Sequence, residues 1–262
     1  MIHLRSIQTK NLENSPSNYP FNLPLIQQFQ SITFHSPVTF FVGENGSGKS
    51  TLIEAIAAAV GSVVVGSDNI QTDLSLQPAR KLASHLQLTW NKHTHRGFFL
   101  RAEDFFGYAK RMAKLRTEMQ ADLEEMQKDS RNRSTLAQKL AEVPFQREIS
   151  ETKHRRTDAL DHVSHGESFL QLFQSRFVPN GLYLLDEPEA PLSPLRQLTL
   201  ITLIKQMVKE DAQFIIATHS PILMAFPDAE ILNFDEVPIK SVTYEDLQHV
   251  EIMRGFLNNP KA

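Results

Sequence analysis

The sequence predicts an α/β fold: a mostly parallel sheet flanked by helices, with an antiparallel N-terminal part and an inserted helical subdomain. Three observations carry this expectation. The apolar run 38–42 leads into a glycine turn and then an Ala/Ile/Leu-rich stretch at 50–60, the order strand, turn, helix. After residue 167, apolar runs of strand length alternate with longer helical runs, as in a parallel sheet covered by helices. Between these parts, from Asp104 to about Asp158, glycine disappears after Gly107 and Lys, Arg, Glu and Asp are mixed along the chain. That pattern suits a solvated helical pair, broken near 129–132 and at Pro144.

The elements follow in order. Ile2, Leu4 and Ile7 alternate with His3, Arg5 and Gln8, so residues 1–10 read as an opening strand. Residues 14–24, rich in Asn, Ser and Pro, read as a loop. Pro37 parts two short strands at 31–35 and 38–42, and further strands are expected at 85–90 and 97–100. Beyond the insertion we expect a helix at 167–177, a buried strand at 181–185 and a helix at 194–209. A strand at 213–217, a short helix at 220–226, a strand at 229–234 and a closing helix at 244–257 complete the chain. The division is therefore 1–103 and 161–262 as two parts of one core, with 104–160 inserted.

With 262 residues, 41% of them hydrophobic, the chain suits one α/β domain with an insertion. A net charge of −3 gives no general attraction to nucleic acid or anionic membrane, although a local basic groove stays open. The absence of cysteine excludes disulfides, zinc–thiolate sites and thiol catalysis. No stretch reaches the ~18–20 apolar residues of a membrane span. The longest, 55–65, is broken by Gly61 and Ser62, and the N-terminus lacks a signal-peptide core. We expect a cytoplasmic protein with no integral membrane segment. His154, His162 and His165 are irregularly spaced, and no carboxylates complete a metal pattern.

Three motifs carry chemistry. Gly43-Glu44-Asn45-Gly46-Ser47-Gly48-Lys49-Ser50 matches GxxxxGK[ST] in full. Its glycines let backbone N–H groups turn inward around a phosphate, and the following helix adds its dipole. Lys49 can reach β- and γ-phosphates and Ser50 can bind Mg²⁺, so Glu44 to Ser50 together with Thr51 form the expected ATP-binding set. Second, the apolar run before Asp186-Glu187-Pro188-Glu189 reads as a buried strand ending in carboxylates. Asp186 suits the Mg²⁺ shell and Glu187 suits a general base for the attacking water. Third, Val163-Ser164-His165-Gly166-Glu167 opens a helix just upstream, where a hydroxyl, N–H groups and a dipole can cap that helix or cradle a second phosphate.

These motifs and their order resemble the ABC ATPase superfamily, whose LSGGQ signature precedes the acidic strand. Ser164 and Gly166 match that signature, while Val163, His165 and Glu167 stand for Leu, Gly and Gln. The resemblance implies that Ser164, Gly166 and Glu167 face the ATP of a second copy, giving an ATP-dependent homodimer. It also places His219, in Thr218-His219-Ser220-Pro221, as the switch histidine at the γ-phosphate. Ala190-Pro191-Leu192-Ser193 stands where the family has its D-loop, with only Leu192 matching. Glu103 is the nearest candidate for the Q-loop glutamine, as a ligand of the metal or its waters, or else a surface residue at a helix start. Tyr19 and Phe21 lie at the distance of an adenine-stacking aromatic but in a Pro/Asn loop.

Within the superfamily, the opening strand and residues 38–46 resemble the SMC/RecF-like branch. The run 164–169, the Thr-His-Ser-Pro segment and Asn258-Asn259-Pro260 resemble small stand-alone bacterial AAA/ABC-type ATPases. Three functions are compatible with these residues. The first is a soluble ATPase whose dimer closure drives a switch in a protein partner or DNA complex, in DNA-related or defence processes. The second is the ATPase subunit of a transporter, and the third a P-loop kinase for a small molecule. The kinase leaves the Asp186–Glu187 pair and Ser164 unexplained.

Overall fold

The structure is a computed structural model that describes residues 1–10, 18–65, 73–104, 118 and 165–259, the side chains of 165–168 excepted. The expected insertion at 104–160 therefore lies outside the described residues, apart from 104 and 118.

Two sheets build the described part. In the smaller, β1 (Leu4–Thr9) pairs antiparallel with β2 (Ser31–Thr33) on one side and β4 (Leu86–Trp90) on the other. The larger contains β3 (Val38–Val42), β5 (Gly97–Arg101), β6 (Leu182–Asp186), β7 (Gln213–Ala217), β8 (Glu230–Asn233) and β9 (Lys240–Ser241). Its order is β5-β6-β7-β3-β8-β9, parallel except at the β8–β9 edge. Gln213 ties the sheets together: its Oε1 accepts from the N–H groups of His3 and Leu4 at 2.8 Å each, and its Nε2 donates to the Leu4 carbonyl at 3.0 Å.

Strands β3, β6 and β7 are buried at every position, as central parallel strands with both faces covered must be. Their side chains alternate between two cores. Phe40, Tyr183, Leu185, Phe214 and Ile216 face α4 (His165–Arg176) and α5 (Pro194–Lys209). Phe41, Leu184 and Ile215 face α1 (Pro24–Gln28), α2 (Lys49–Val60), α3 (Gln77–Ala83) and the small sheet. Burying one Phe or Leu contributes roughly 1.5–3 kcal/mol, against at most about 1 kcal/mol for an exposed ion pair such as Met1–Asp211. The two apolar cores hold the layers.

Several expected boundaries shift for visible reasons. The strand expected at 85–90 forms, but in the small sheet. Helices α1 and α3 were not legible in the sequence; both are short, start beside a proline, and are held by burial of Leu25 and Ile26 or Ala79 and Leu82. The short helix contracts to α6 (Pro221–Met224), capped by the Ser220 side chain. The closing helix, α7, spans Gln248–Asn258 and starts later than expected. The chain before it is turned by the Thr243 hydroxyl donating to Asp246 Oδ2 at 2.7 Å.

The register matters for chemistry. Asp186 pairs with Ala217 and with Arg101, and Phe41 pairs with Ala217, so β3, β5, β6 and β7 end at one level. Strand β7 lies between the strand that enters the glycine loop and the strand that ends in the acidic pair. Ligands of open parallel sheets bind at such carboxyl ends.

Candidate functional site

The glycine loop needs backbone that only glycine adopts freely. Gly48, immediately before α2, has φ +100°, and Gly43 has φ +141° with Asp235 Oδ1 only 2.8 Å from where a Cβ would stand. Asp235, in the chain after β8, accepts from the Glu44 N–H at 2.6 Å and so anchors the entry of the loop. Lys49 is 4% exposed and folds back over the loop. Its ammonium donates to the carbonyls of Gly43 at 2.7 Å and Glu44 at 2.8 Å, and to Ser47 Oγ at 3.4 Å. Burial pushes this ammonium below the usual lysine value, opposed by the charges of Asp235, Glu187, Asp186 and Glu189.

One residue on, Ser50 Oγ donates to Asp186 Oδ1 at 3.1 Å, joining α2 to the end of β6 across 136 residues of sequence. Asp186 is buried, and its carboxyl is pushed up to about 7, by burial first and by the charge of Glu54 second. Glu54, also raised to about 7 by burial, is held at 3.4 Å by Arg101 Nη1. A hydroxyl and a carboxylate in contact form a hard-oxygen pair of the kind that suits Mg²⁺, an ion that keeps much of its shell as water and phosphate oxygen. Among the described residues no group of three His, Asp or Glu side chains is placed to hold a metal. The Ser50–Asp186 pair fits an ion that takes the rest of its shell from water and phosphate oxygen.

Glu187 follows with φ +50°, a strained value for a residue with a Cβ, held by its N–H bonding the Ala217 carbonyl at 2.9 Å. The turn aims its half-exposed carboxylate at His219, Oε1 to Nε2 3.8 Å. The His219 ring is held below the usual histidine value, by burial first and the Lys49 charge second, so it is neutral at pH 7. Glu44, Asn45, Glu187 and His219 line one open cleft. The structure thus brings Glu44, Asn45, Lys49, Ser50, Asp186, Glu187 and His219 to one end of the sheet, around Gly46, Ser47 and Gly48.

Other expected residues stand differently. Thr51 is mostly buried, and its hydroxyl bonds the Tyr19 hydroxyl at 3.0 Å. Tyr19 is 48% exposed beside α2, whereas Phe21 is 6% exposed, packed in the core with its ring edge on His85. Phe21 is therefore unable to stack on a base, and Tyr19 is the aromatic left open. Glu103 is 73% exposed and pairs with Arg101 Nη1 at 3.1 Å. Helix α4 begins at His165, so Gly166 and Glu167 lie in its first turn, while Ser164 lies outside the described residues. Sequence reasoning missed Asp235, Glu54 and Arg101. Asp235 in particular is one aspartate in an ordinary turn, 191 residues from its partner, and carries no local signal.

The family model of the AAA domain matches residues 21–211. An "Uncharacterized ABC transporter ATP-binding protein" of Haemophilus influenzae is 25% identical over 218 residues, covering 81% of this chain and 75% of that protein. Among solved structures, the Pyrococcus furiosus Smc head domain, bound to the C-terminal domain of ScpA, is 14% identical with a TM-score of 0.46 and full coverage of both chains. The Thermotoga maritima SMC head domain is 17% identical with a TM-score of 0.45, covering 92% of this chain and 99% of that one. These two likenesses are distant, and membership rests on the matched residues, which span the glycine loop, the acidic strand and most of both cores. By that match the chain belongs to the AAA domain family.

Proposed function

We propose that this protein binds ATP with Mg²⁺ at residues 43–51, hydrolyses it, and closes as a homodimer around two nucleotides. The contact of Ser50 Oγ with Asp186 Oδ1 carries the reading, because it joins a phosphate loop to a buried carboxylate at the carboxyl end of the sheet. Lys49 and the loop amides from Glu44 to Ser50 would hold the β- and γ-phosphates, with Thr51 in the first turn of α2. Ser50 and Asp186 would hold Mg²⁺, which when bound neutralises charge developing on the phosphates. Glu103 would join the water shell of that ion only by releasing Arg101.

In the reaction the water oxygen bonds the γ-phosphorus while Glu187 accepts the water's proton. The bond from that phosphorus to the β–γ bridging oxygen breaks, and its electron pair leaves with ADP. His219, neutral and beside Glu187, would orient the water or the γ-phosphate. Ser164, Gly166 and Glu167 would complete the site of the second copy. In this reading the enzyme is cytoplasmic and its closure drives a switch in a protein partner or DNA complex. No helix among the described residues is long and apolar enough to cross a membrane.

The test is phosphate release by wild type and Glu187→Gln, with and without DNA. E187Q should bind ATP, release phosphate at least about 100-fold more slowly, and double in mass by light scattering when ATP is present. Wild-type turnover by E187Q would remove Glu187 as the base. The name of the Haemophilus influenzae relative favours a second reading, the ATPase subunit of a transporter. Co-purification of a membrane permease, with no stimulation by DNA, would select it.

A further inference from the structure

Beyond the groups that line the cleft, a second set of side chains fastens the histidine turn to the chain leaving the acidic strand. Glu189 Oε1 accepts from the backbone N–H of His219 at 2.7 Å, and burial pushes its carboxyl up against the pull of that N–H and of the Thr218 side chain. The neighbouring Ser220 donates from Oγ to Gln197 Oε1 at 2.5 Å. The other end of the Gln197 amide donates to the Leu192 carbonyl at 3.1 Å. Ser220 Oγ in turn accepts from the N–H groups of Ile222 and Leu223, at 3.2 Å each, at the start of α6. The His219 turn is thus gripped on both sides by residues of the segment 187–197, although neither Glu189 nor Gln197 lines the cleft.

The cost of this arrangement argues that it has a use. Burying a carboxyl group is destabilising, as the upward push of burial on Glu189 shows, and an apolar residue would avoid that penalty. What the carboxylate supplies is a charge-assisted acceptor for one particular N–H, shorter and stronger than a neutral one. That N–H belongs to the residue whose ring stands 3.8 Å from Glu187. Because the ring swings on this backbone, an error at His219 N becomes an error in where Nε2 points.

We propose that Glu189 is a positioning residue for hydrolysis: with Gln197 it clamps the His219 turn so that the imidazole stays in register with Glu187. The proposal rests on the hydrolytic reading above. It implies that losing the clamp slows turnover through the histidine and through nothing else. It also implies that nucleotide binding, which uses the loop at 43–51, is left nearly untouched.

The experiment is a cycle of Glu189→Ala, His219→Ala and the double variant, with kcat and ATP Kd measured separately. It is joined to ¹³Cε1-histidine NMR of the whole chain, in which the His219 signal is the one missing from H219A. E189A should lower kcat by about 10- to 100-fold, the scale of a misplaced catalytic group, and leave Kd within about twofold. The double variant should be no slower than H219A, and the His219 signal should move in E189A and return towards wild type in E189Q, which keeps an acceptor. Losses that multiply in the double variant would overturn the proposal. So would an unmoved His219 signal. If H219A keeps wild-type turnover, the hydrolytic role of His219 fails, and the NMR signal still decides the clamp. Should E189A not fold, Gln197→Ala takes its place in the same cycle, with the same outcomes.

Discussion

Replacing Asp186 by asparagine should stabilise the nucleotide-free protein at alkaline pH while removing its response to magnesium. The carboxyl is raised from 3.8 to about 7 by burial and by the charge of Glu54. Below 3.8 it is protonated in both the folded and unfolded chain, and the folded state bears no penalty. Between those values the unfolded chain releases a proton that the folded one keeps, so stability falls as pH rises, and above about 7 the loss is complete. At about 1.4 kcal/mol per pH unit the full penalty is about 4 kcal/mol. An asparagine carbonyl still accepts from Ser50 but more weakly than a carboxylate, by about 1 kcal/mol. The net gain for D186N at pH 8 is then about 3 kcal/mol, or roughly 6–12 °C in Tm for a domain of this size. Thermal melts in EDTA at pH 4, 6 and 8 measure it; the gain should grow with pH. With Mg-ATP present the order should reverse, since wild type, which keeps the carboxylate for magnesium, gains more from binding. A D186N protein less stable than wild type at pH 8 without ligand, or a difference independent of pH, would refute the reasoning.

Lys49→Ala should weaken ATP binding by at least about 100-fold, because it removes the charge facing the phosphates; calorimetry with the folded variant checks it, and retained tight binding would sink the loop assignment. Gly97→Ala should destabilise by more than about 3 kcal/mol in denaturant melts, since its Cβ would stand 1.8 Å from the Leu182 carbonyl oxygen at φ +115°. Ser164→Arg should leave monomer ATP affinity unchanged yet block dimerisation and turnover. Mixing it with K49A should restore some activity if one intact composite site can turn over by itself, whereas lost affinity in monomeric S164R would place Ser164 in its own chain's site.

The glycine loop, the acidic pair and the histidine were legible because each is written in a few consecutive residues with an apolar run beside it. Strands β3, β6 and β7 were legible for the same reason: burial on both faces favours near-continuous apolar runs, and VTFFV, LYLLD and QFIIA are such runs with one polar residue each. Helices α1 and α3 were not, since five- and seven-residue helices show little periodicity and are held by what they pack on. The assignment of β4 to the small sheet was equally hidden, because its pairing partner is β1, some 80 residues upstream in the chain.

By itself the sequence determined the glycine loop, the carboxylates at a strand end and the α/β alternation, all of which depend on local order and periodicity. Tertiary structure alone decided that Ser50 meets Asp186, that Asp235 anchors Glu44, that Phe21 is buried while Tyr19 stays open, and that Glu189 grips the His219 turn. Except for the contrast between Phe21 and Tyr19, each pairs residues that follow or flank strands which the parallel sheet brings to one level. In such a sheet neighbours in space are set by strand order and register, and no short stretch of sequence records either.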